Sequence, residues 1–402
     1  MAIGTVQVPK NPLLKRIGVE IDRSSWTGQY AFPAELAIAS SLPDINFASA
    51  LLWMGVASLV QTVPRWWTAI RWAQAKYAYA VDSDSDLRLH PEMVDLEKHQ
   101  KSVLSDEWGI GVALEWLTNA FQYRQICHGD IAVREFRRRG LLKTYPEHKK
   151  NGHQKCPDFV ALDPHKKLHI IECKGTTQGR STIKAAFKTA YEQKHSIRFH
   201  NDGAFVSQRL SVGLAIASDP KAKRTTLYVE DPDESRRPLS AGGYFVADKV
   251  QPRQIEEAVL TSMLIEQSAL AGAFDVLAIA SATYGQHETG TVLLGRELPP
   301  DMVKFEAEDK VWIGQQFEAV SPVALHPDHG RSLIKIRSGM SSQLHHSLLE
   351  PRVWNEPERV MEMLDTGMTP LKRDGSDKLV LRSSIQFGSG FISDLTITEL
   401  GK

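Results

Sequence analysis

Cysteine is scarce in this chain. Cys127, Cys156 and Cys173 are the three in 402 residues. They cannot all pair and they lack metal-ligand spacing, which excludes a disulfide framework and sets the expectation of a reducing, cytoplasmic compartment. Net charge is absent too: 48 Lys and Arg balance 48 Asp and Glu, so bulk charge offers no support for nucleic-acid binding. No Gly-x-x-x-x-Gly-Lys-Ser/Thr stretch occurs, so there is no recognisable ATPase motif. No Gly-x-Ser-x-Gly elbow occurs either. The most apolar run, residues 45–60, falls short of the ~20 residues of a membrane helix. It contains Asn46, Ser49 and Ser58 and ends near Pro64. A buried core or dimer helix is expected there, and no membrane association. The opening residues, Met-Ala-Ile-Gly-Thr-Val-Gln, are not followed by the apolar core of a secretory signal. Internal repeats and low-complexity tracts are missing.

What is present is an ordinary globular composition, 42% hydrophobic and 24% charged, in a chain long enough for two or three domains. The informative stretch is Pro157-Asp158-Phe159-Val160-Ala161-Leu162-Asp163, a short break, then Leu168-His169-Ile170-Ile171-Glu172-Cys173-Lys174-Gly175. Two apolar runs flanking Asp-Pro-His-Lys-Lys predict a β-hairpin with a loop of about five residues. Asp158 opens the first strand and Glu172 closes the second, so antiparallel pairing brings them to one end. Glu172 and Lys174 are two apart and share a face. If Asp158 lies opposite Glu172, all three converge; a one-residue slip would put Asp158 on the other face. The expectation is the register that brings them together. An ordinary hairpin rim with a solvated ion pair is the competing reading.

Two carboxylates and a lysine at adjacent strand ends suit Mg²⁺, which favours hard oxygen ligands. They suit phosphoryl chemistry, in which a metal activates water and a lysine answers developing charge. Pro157-Asp158 followed by Glu172-Cys173-Lys174 resembles the PD-(D/E)XK nuclease superfamily, which is named for this arrangement. The resemblance implies that Asp158 and Glu172 bind the metal, helped by the carbonyl of Cys173, and that Lys174 serves the water and the phosphate. It implies Mg²⁺ as cofactor, with Mn²⁺ able to substitute. It also implies a core of helix, three strands, helix and strand.

The neighbouring stretches match that order. Ser105-Asp106-Glu107 reads as a helix cap, followed by apolar residues from Trp108 to Phe121. Asp130 to Phe136 reads as the first strand. Ser181-Thr182 can cap a second helix carrying Ala185, Phe187, Ala190 and Tyr191, and Leu210 to Ala217 reads as a buried strand. Some members of the superfamily place a further acid in the first helix; Glu115 fits that usage best, with Glu107 as the alternative and a solvated helix face as the competing reading. A Gln-x-x-x-Tyr motif found in some subfamilies is not matched, because Tyr191 precedes Gln193.

Between Arg134 and Lys155 eight Lys or Arg face two acids. The clusters Arg137-Arg138-Arg139 and Lys149-Lys150 form a candidate track for DNA phosphate. Lys184 and Lys188, with Gln193 and Lys194, are further candidates on the second helix. The expected architecture is α/β: a helical N-terminal region over residues 1–100 for recognition or dimerisation, a nuclease core over 101–235, and a mixed α/β domain over 236–402 for recognition or control. The interleaved arginines and tryptophans of residues 65–72 read as a core helix with snorkelling arginines, a nucleic-acid or partner surface being the other reading. In the C-terminal part, His345-His346 and Asn355 match the beginning of an HNH nuclease site, but its later histidine and cysteine pairs are missing. The function expected is a Mg²⁺-dependent DNA endonuclease acting on duplex DNA, in restriction or phage defence, as a homodimer because duplex cleavage needs two sites, with a further protein partner open. The alternative is a catalytically silent nucleic-acid-binding or sensor subunit of a larger complex.

Overall fold

A computed structural model describes residues 14–27, 31–40, 44–57, 74, 77–78, 80–82, 85–144, 156–199, 202–218, 224–231, 244–246, 250–273, 276–277, 279–280, 303–307, 310–321, 331–350, 380–387 and 391–400. Lys149, Lys150, the tryptophan-rich residues 65–72 and the helix expected near 357–364 lie outside them.

In chain order the elements are β1 (Leu14–Arg16), β2 (Gly18–Ile21), α1 (Ala34–Ala39), β3 (Asp44–Asn46), α2 (Phe47–Ala57), α3 (Lys98–Phe121), β4 (Gln125–His128), α4 (Gly129–Arg138), β5 (Leu142–Thr144), β6 (Phe159–Leu162) and β7 (Leu168–Thr176). They continue with α5 (Arg180–Lys194), β8 (Ile197–Arg198), α6 (Asp202–Phe205), β9 (Val206–Ala215), β10 (Thr226–Glu230), β11 (Tyr244–Val246) and α7 (Pro252–Ala271). The C-terminal elements are β12 (Val303–Ala307), β13 (Lys310–Ser321), β14 (Arg331–Ser341), α8 (Ser342–Leu348), β15 (Val380–Phe387) and β16 (Phe391–Leu400). The fold is mixed α/β.

A six-stranded mixed sheet, ordered β2-β10-β9-β7-β6-β4, runs through the middle. The expected hairpin lies within it, between β9 and the edge strand β4. Strands β6 and β7 pair antiparallel with Phe159 opposite Ile171 and Val160 opposite Ile170, the register that sets Asp158 against Glu172. The turn is closed by Asp163, whose Oδ1 accepts the N–H groups of His165 (2.8 Å) and Lys167 (2.9 Å). Strand β7 is buried on both faces through Cys173 because α3 and α5 pack on the sheet, and it runs parallel to β9.

Two expectations for the core change. Residues 130–136 form helix α4 and not a strand, and the strand beside β6 is the shorter β4. The alternation of Ile131 and Val133 suggests a strand, but the ion pairs Asp130–Arg134 and Glu135–Arg139 are both i,i+4, the spacing of a helix face. Glu135 and Phe136 are buried one turn after Ile131 and Ala132, completing a helical stripe. Helix α3 also starts at Lys98, so Ser105-Asp106-Glu107 is helix interior and not a cap; Ser105 returns its hydroxyl to Ser102 O.

The N-terminal region is not wholly helical. It contributes β2, parallel to β10, as one edge of the main sheet, while α2 buries Leu51, Leu52, Trp53 and Met54 and packs on α3. Toward the C-terminus a five-stranded antiparallel sheet, β12-β13-β14-β16-β15, stands with α8. Helix α7 packs on α4, β4 and β6 and also on β13 and β14. Among the described residues no helix is long and apolar enough to cross a membrane.

Helix α3 approaches β7 unusually closely, and glycine permits it. A Cβ on Gly109 would stand 2.6 Å from Lys174 O, and one on Gly175 would overlap Ser105 O. Gly175→Ala is therefore expected to push α3 off the strand end and to destabilise the protein by roughly 3 kcal/mol, the upper range for overpacking. Urea unfolding measures the loss.

Candidate functional site

Pro157 has no N–H to give to a ladder, so strand β6 ends there and side chains take over its pairing. Asp158 Oδ2 accepts the N–H of Cys173 at 2.9 Å. Glu172 Oε2 accepts the N–H of Asp158 at 3.1 Å, while Glu172 Oε1 accepts from Lys174 Nζ. Each acid is thus held by the other acid's strand. Cys173 takes part through its backbone: N–H and C=O of one extended residue project to the same strand edge, so its carbonyl lies on the β6 side too. Its thiol is buried, and burial pushes it well above the ordinary range.

The electrostatics follow from burial. Glu172 is fully buried, and desolvation, then the charge of Asp158, raises its pKa well above the ordinary value despite Lys174. Asp158 is raised as well, by burial first, with Lys174 and the Cys173 N–H pulling the other way. For Lys174, burial pulls downward but the charges of Glu172 and Asp158 together outweigh it, so the ammonium is held above its usual range. Lys174 Nζ also lies 3.5 Å from Gln193 Oε1 on α5.

A third acid joins from α3, and it is Asp106. Its Oδ1 accepts the Gly175 N–H at 3.2 Å; the residue is exposed, but partial desolvation of the carboxyl against β7 raises its pKa, which also feels Lys174 and Asp158. Glu115 does not belong to the cluster. It lies nine residues along α3, about 13 Å at 1.5 Å per residue. There it is buried, accepting from Asn119 Nδ2 at 3.0 Å and from the Asn46 backbone. Glu107 turns to the Tyr77 hydroxyl. Asp106 was legible only with the helix in register: it is three residues before Gly109, hence on the face that approaches β7.

The basic residues divide differently. Arg138 pairs with Glu135, and Arg139 reaches Glu135 (2.6 Å), Glu257 (3.2 Å) and the Thr261 hydroxyl (2.9 Å). Arg138 braces α4 on itself and Arg139 ties it to α7, which explains their half-burial. Arg137 is exposed on α4. Lys184 and Lys188 are exposed on α5, as a surface role requires, and Lys184 lines a shallow cavity with Glu20, Arg180 and Tyr228. Lys194 is fully buried against Asp231 Oδ1 (3.0 Å) and Arg209 O (2.5 Å) and cannot reach a ligand.

No family model, curated protein or solved structure matches this chain. The chemistry must therefore be read from the site. Asp158, Glu172, Asp106 and the Cys173 carbonyl are hard oxygen donors, and one lysine faces more carboxylate charge than it can neutralise. Among the described residues no group of three His, Cys, Asp or Glu side chains forms a metal cage. Mg²⁺ needs none, since it is held by one or two carboxylates and keeps several waters. The donor set fits that ion.

Glu115 makes its own prediction. Burial lifts its pKa to about 7, against 4.5 in an exposed chain. The unfolded state then loses this proton at lower pH than the folded state does, so its contribution to stability is full below about pH 4.5 and disappears as pH rises through about 7. Glu115→Gln is expected to gain about 3 kcal/mol relative to wild type between pH 4 and pH 8. Paired urea titrations across that range measure it.

Proposed function

We propose that this protein is a Mg²⁺-dependent DNA endonuclease of the PD-(D/E)XK type. The observation that carries the reading is the hydrogen-bonded knot of Asp158, Glu172, the Cys173 backbone and Lys174 at the open end of the hairpin, with Asp106 brought beside it. Its elements support the family reading in part: α3, β4, β6, β7, α5 and β9 follow the expected order, with α4 and β5 inserted after the first strand and β8 and α6 before the last.

Asp158, Glu172 and the Cys173 carbonyl would hold the cation, with Asp106 as the further acid that Glu115 was expected to be. The ion supplies water activation and neutralises charge on the phosphoryl oxygens. The chain supplies the rest. Glu172 holds Lys174 at the mouth, where its ammonium can orient the attacking water and face the charge that builds on phosphate. Gln193 lies against that ammonium from the side of α5. Asp106 is exposed and Glu172 is sealed, so the cluster is wet on one side only, as a hydrolytic site must be. Lys184 and Lys188 offer exposed positive charge on α5 for phosphate. Cleavage of a duplex needs two such sites, which favours a homodimer, and stand-alone chains of this build resemble restriction and phage-defence effectors. A silent nucleic-acid binder or sensor subunit fits less well, because a degenerate site should have lost one of Asp158, Glu172 and Lys174.

The test is cleavage of supercoiled plasmid by the full chain with Mg²⁺, Mn²⁺ or EDTA. Nicking that needs metal is expected, with losses of at least about 100-fold in Asp158→Ala and Lys174→Ala and a smaller loss in Asp106→Asn, the range seen when a charge-stabilising group is removed. Equal cutting by wild type and variants would sink the assignment. Binding without cutting would favour the silent reading. A second outcome follows from the raised carboxylates. Ionising them in the folded state costs stability that a cation returns, so Mn²⁺ should raise the melting temperature more at pH 8 than at pH 6.

A further inference from the structure

Asp158 is held from a second direction. Strand β4 pairs with β6 so that His128 lies opposite Phe159, their rings 4.9 Å apart, and the next residue, Gly129, donates its N–H to Asp158 O at 2.9 Å. This corner, where β4 turns into α4, is locked by one carboxylate from a distant helix. Glu266 on α7 accepts the backbone N–H of His128 at Oε2 (3.0 Å), and its Oε1 lies 2.9 Å from the ring Nδ1. The Glu266 side chain is wholly buried, while that of His128 keeps 14% exposure. A carboxylate so placed is costly unless its bonds do something, since removing water from it is unfavourable and only good geometry repays that.

We infer that Glu266 is a positioning residue for the site: by holding both the backbone and the ring of His128, it fixes the corner from which Asp158 is suspended. The inference rests on the reading of Asp158 as a cation ligand. The route is a chain of contacts, Glu266 to His128, Gly129 to the Asp158 carbonyl, and the Asp158 carboxylate to Cys173. Asp158 also feels the charge of His128. An acid that acts as metal ligand needs its orientation set by groups behind it, and loss of such a group lowers metal affinity about 10- to 100-fold. Helix α7 packs on β13 and β14 as well, and the Gln315 side chain of β13 lies against Gly272 at the end of α7. Helix α7 therefore touches both the C-terminal sheet and the corner behind Asp158.

The full-length Glu266→Gln variant tests this. It keeps the shape of the side chain but removes its charge and leaves one acceptor oxygen, so the backbone N–H and a ring Nδ1–H of His128 can no longer both be accepted. Hydrogen exchange read by mass spectrometry should accelerate in peptides covering 126–131 and 157–160 and stay unchanged in α3 and α5. Calorimetric titration with Mn²⁺ should show affinity lowered about tenfold. His128→Gln, made at the partly exposed end, is the second route, and the double variant should be no worse than the worse single. Unchanged exchange at both peptides in both variants overturns the inference, and so does acceleration spread over the whole chain. Wild type that binds no Mn²⁺, with exchange still accelerated locally, overturns the cation-site reading and leaves the coupling standing.

Discussion

Two carboxylates with little access to water repel each other and resist ionisation, and the structure around Asp158 and Glu172 is organised by that constraint. Each acid accepts an N–H from the other's strand, so neither can swing away. Lys174 answers part of the charge from the same strand face, two residues beyond Glu172. Gly109 and Gly175 let α3 close on the strand end tightly enough to add Asp106. Compensation is incomplete, which is why both acids are raised, and an incompletely compensated oxygen cluster is what a divalent cation can use.

The two ends of the same hairpin show what compensation changes. At the turn, Asp163 is pushed up by burial, but His169, Lys167 and His165 outweigh that and hold it below its ordinary value. His169 in turn meets the Tyr123 hydroxyl at 3.1 Å and is fully buried. That end is satisfied internally and is closed. The open end keeps its acids raised and exposes Asp106. One supersecondary unit therefore carries one carboxylate held below its ordinary range and a pair held above it, separated only by their partners. The same contrast holds for cations: Lys194, sealed between Asp231 and Arg209 where β9, β10 and α5 meet, has a lowered pKa through burial, whereas Lys174 is raised.

Much of this was legible in local chemistry. Pro157, the turn residues Asp163 and Pro164, and the two apolar runs specify a hairpin, and the five-residue loop between them sets its register. The position of Asp158 against Glu172 follows from that register. Helix α5 and strand β9 were legible from apolar spacing. Strand β4 and helix α4 were misread because a short amphipathic helix with Ile131 and Val133 in alternation carries a strand-like signal; its i,i+4 ion pairs were the better guide. The intramolecular partners of Arg138 and Arg139 were not legible, because a basic run looks the same whether solvent, phosphate or a buried Glu135 and a Glu257 on a distant helix receives it.

The sequence by itself determined the hairpin, its polar end and the hard-ligand character of the cluster, because strand periodicity and turn chemistry act over a few residues. Tertiary structure decided which acid of α3 joins it, since the face that α3 turns to β7 is set by the close approach of Gly109 and Gly175 across two elements far apart in the chain. It also decided that Glu266, 138 residues beyond His128, stands behind Asp158. Such pairings are set by how α7 packs on β4 and α4, and no pattern along the chain records them.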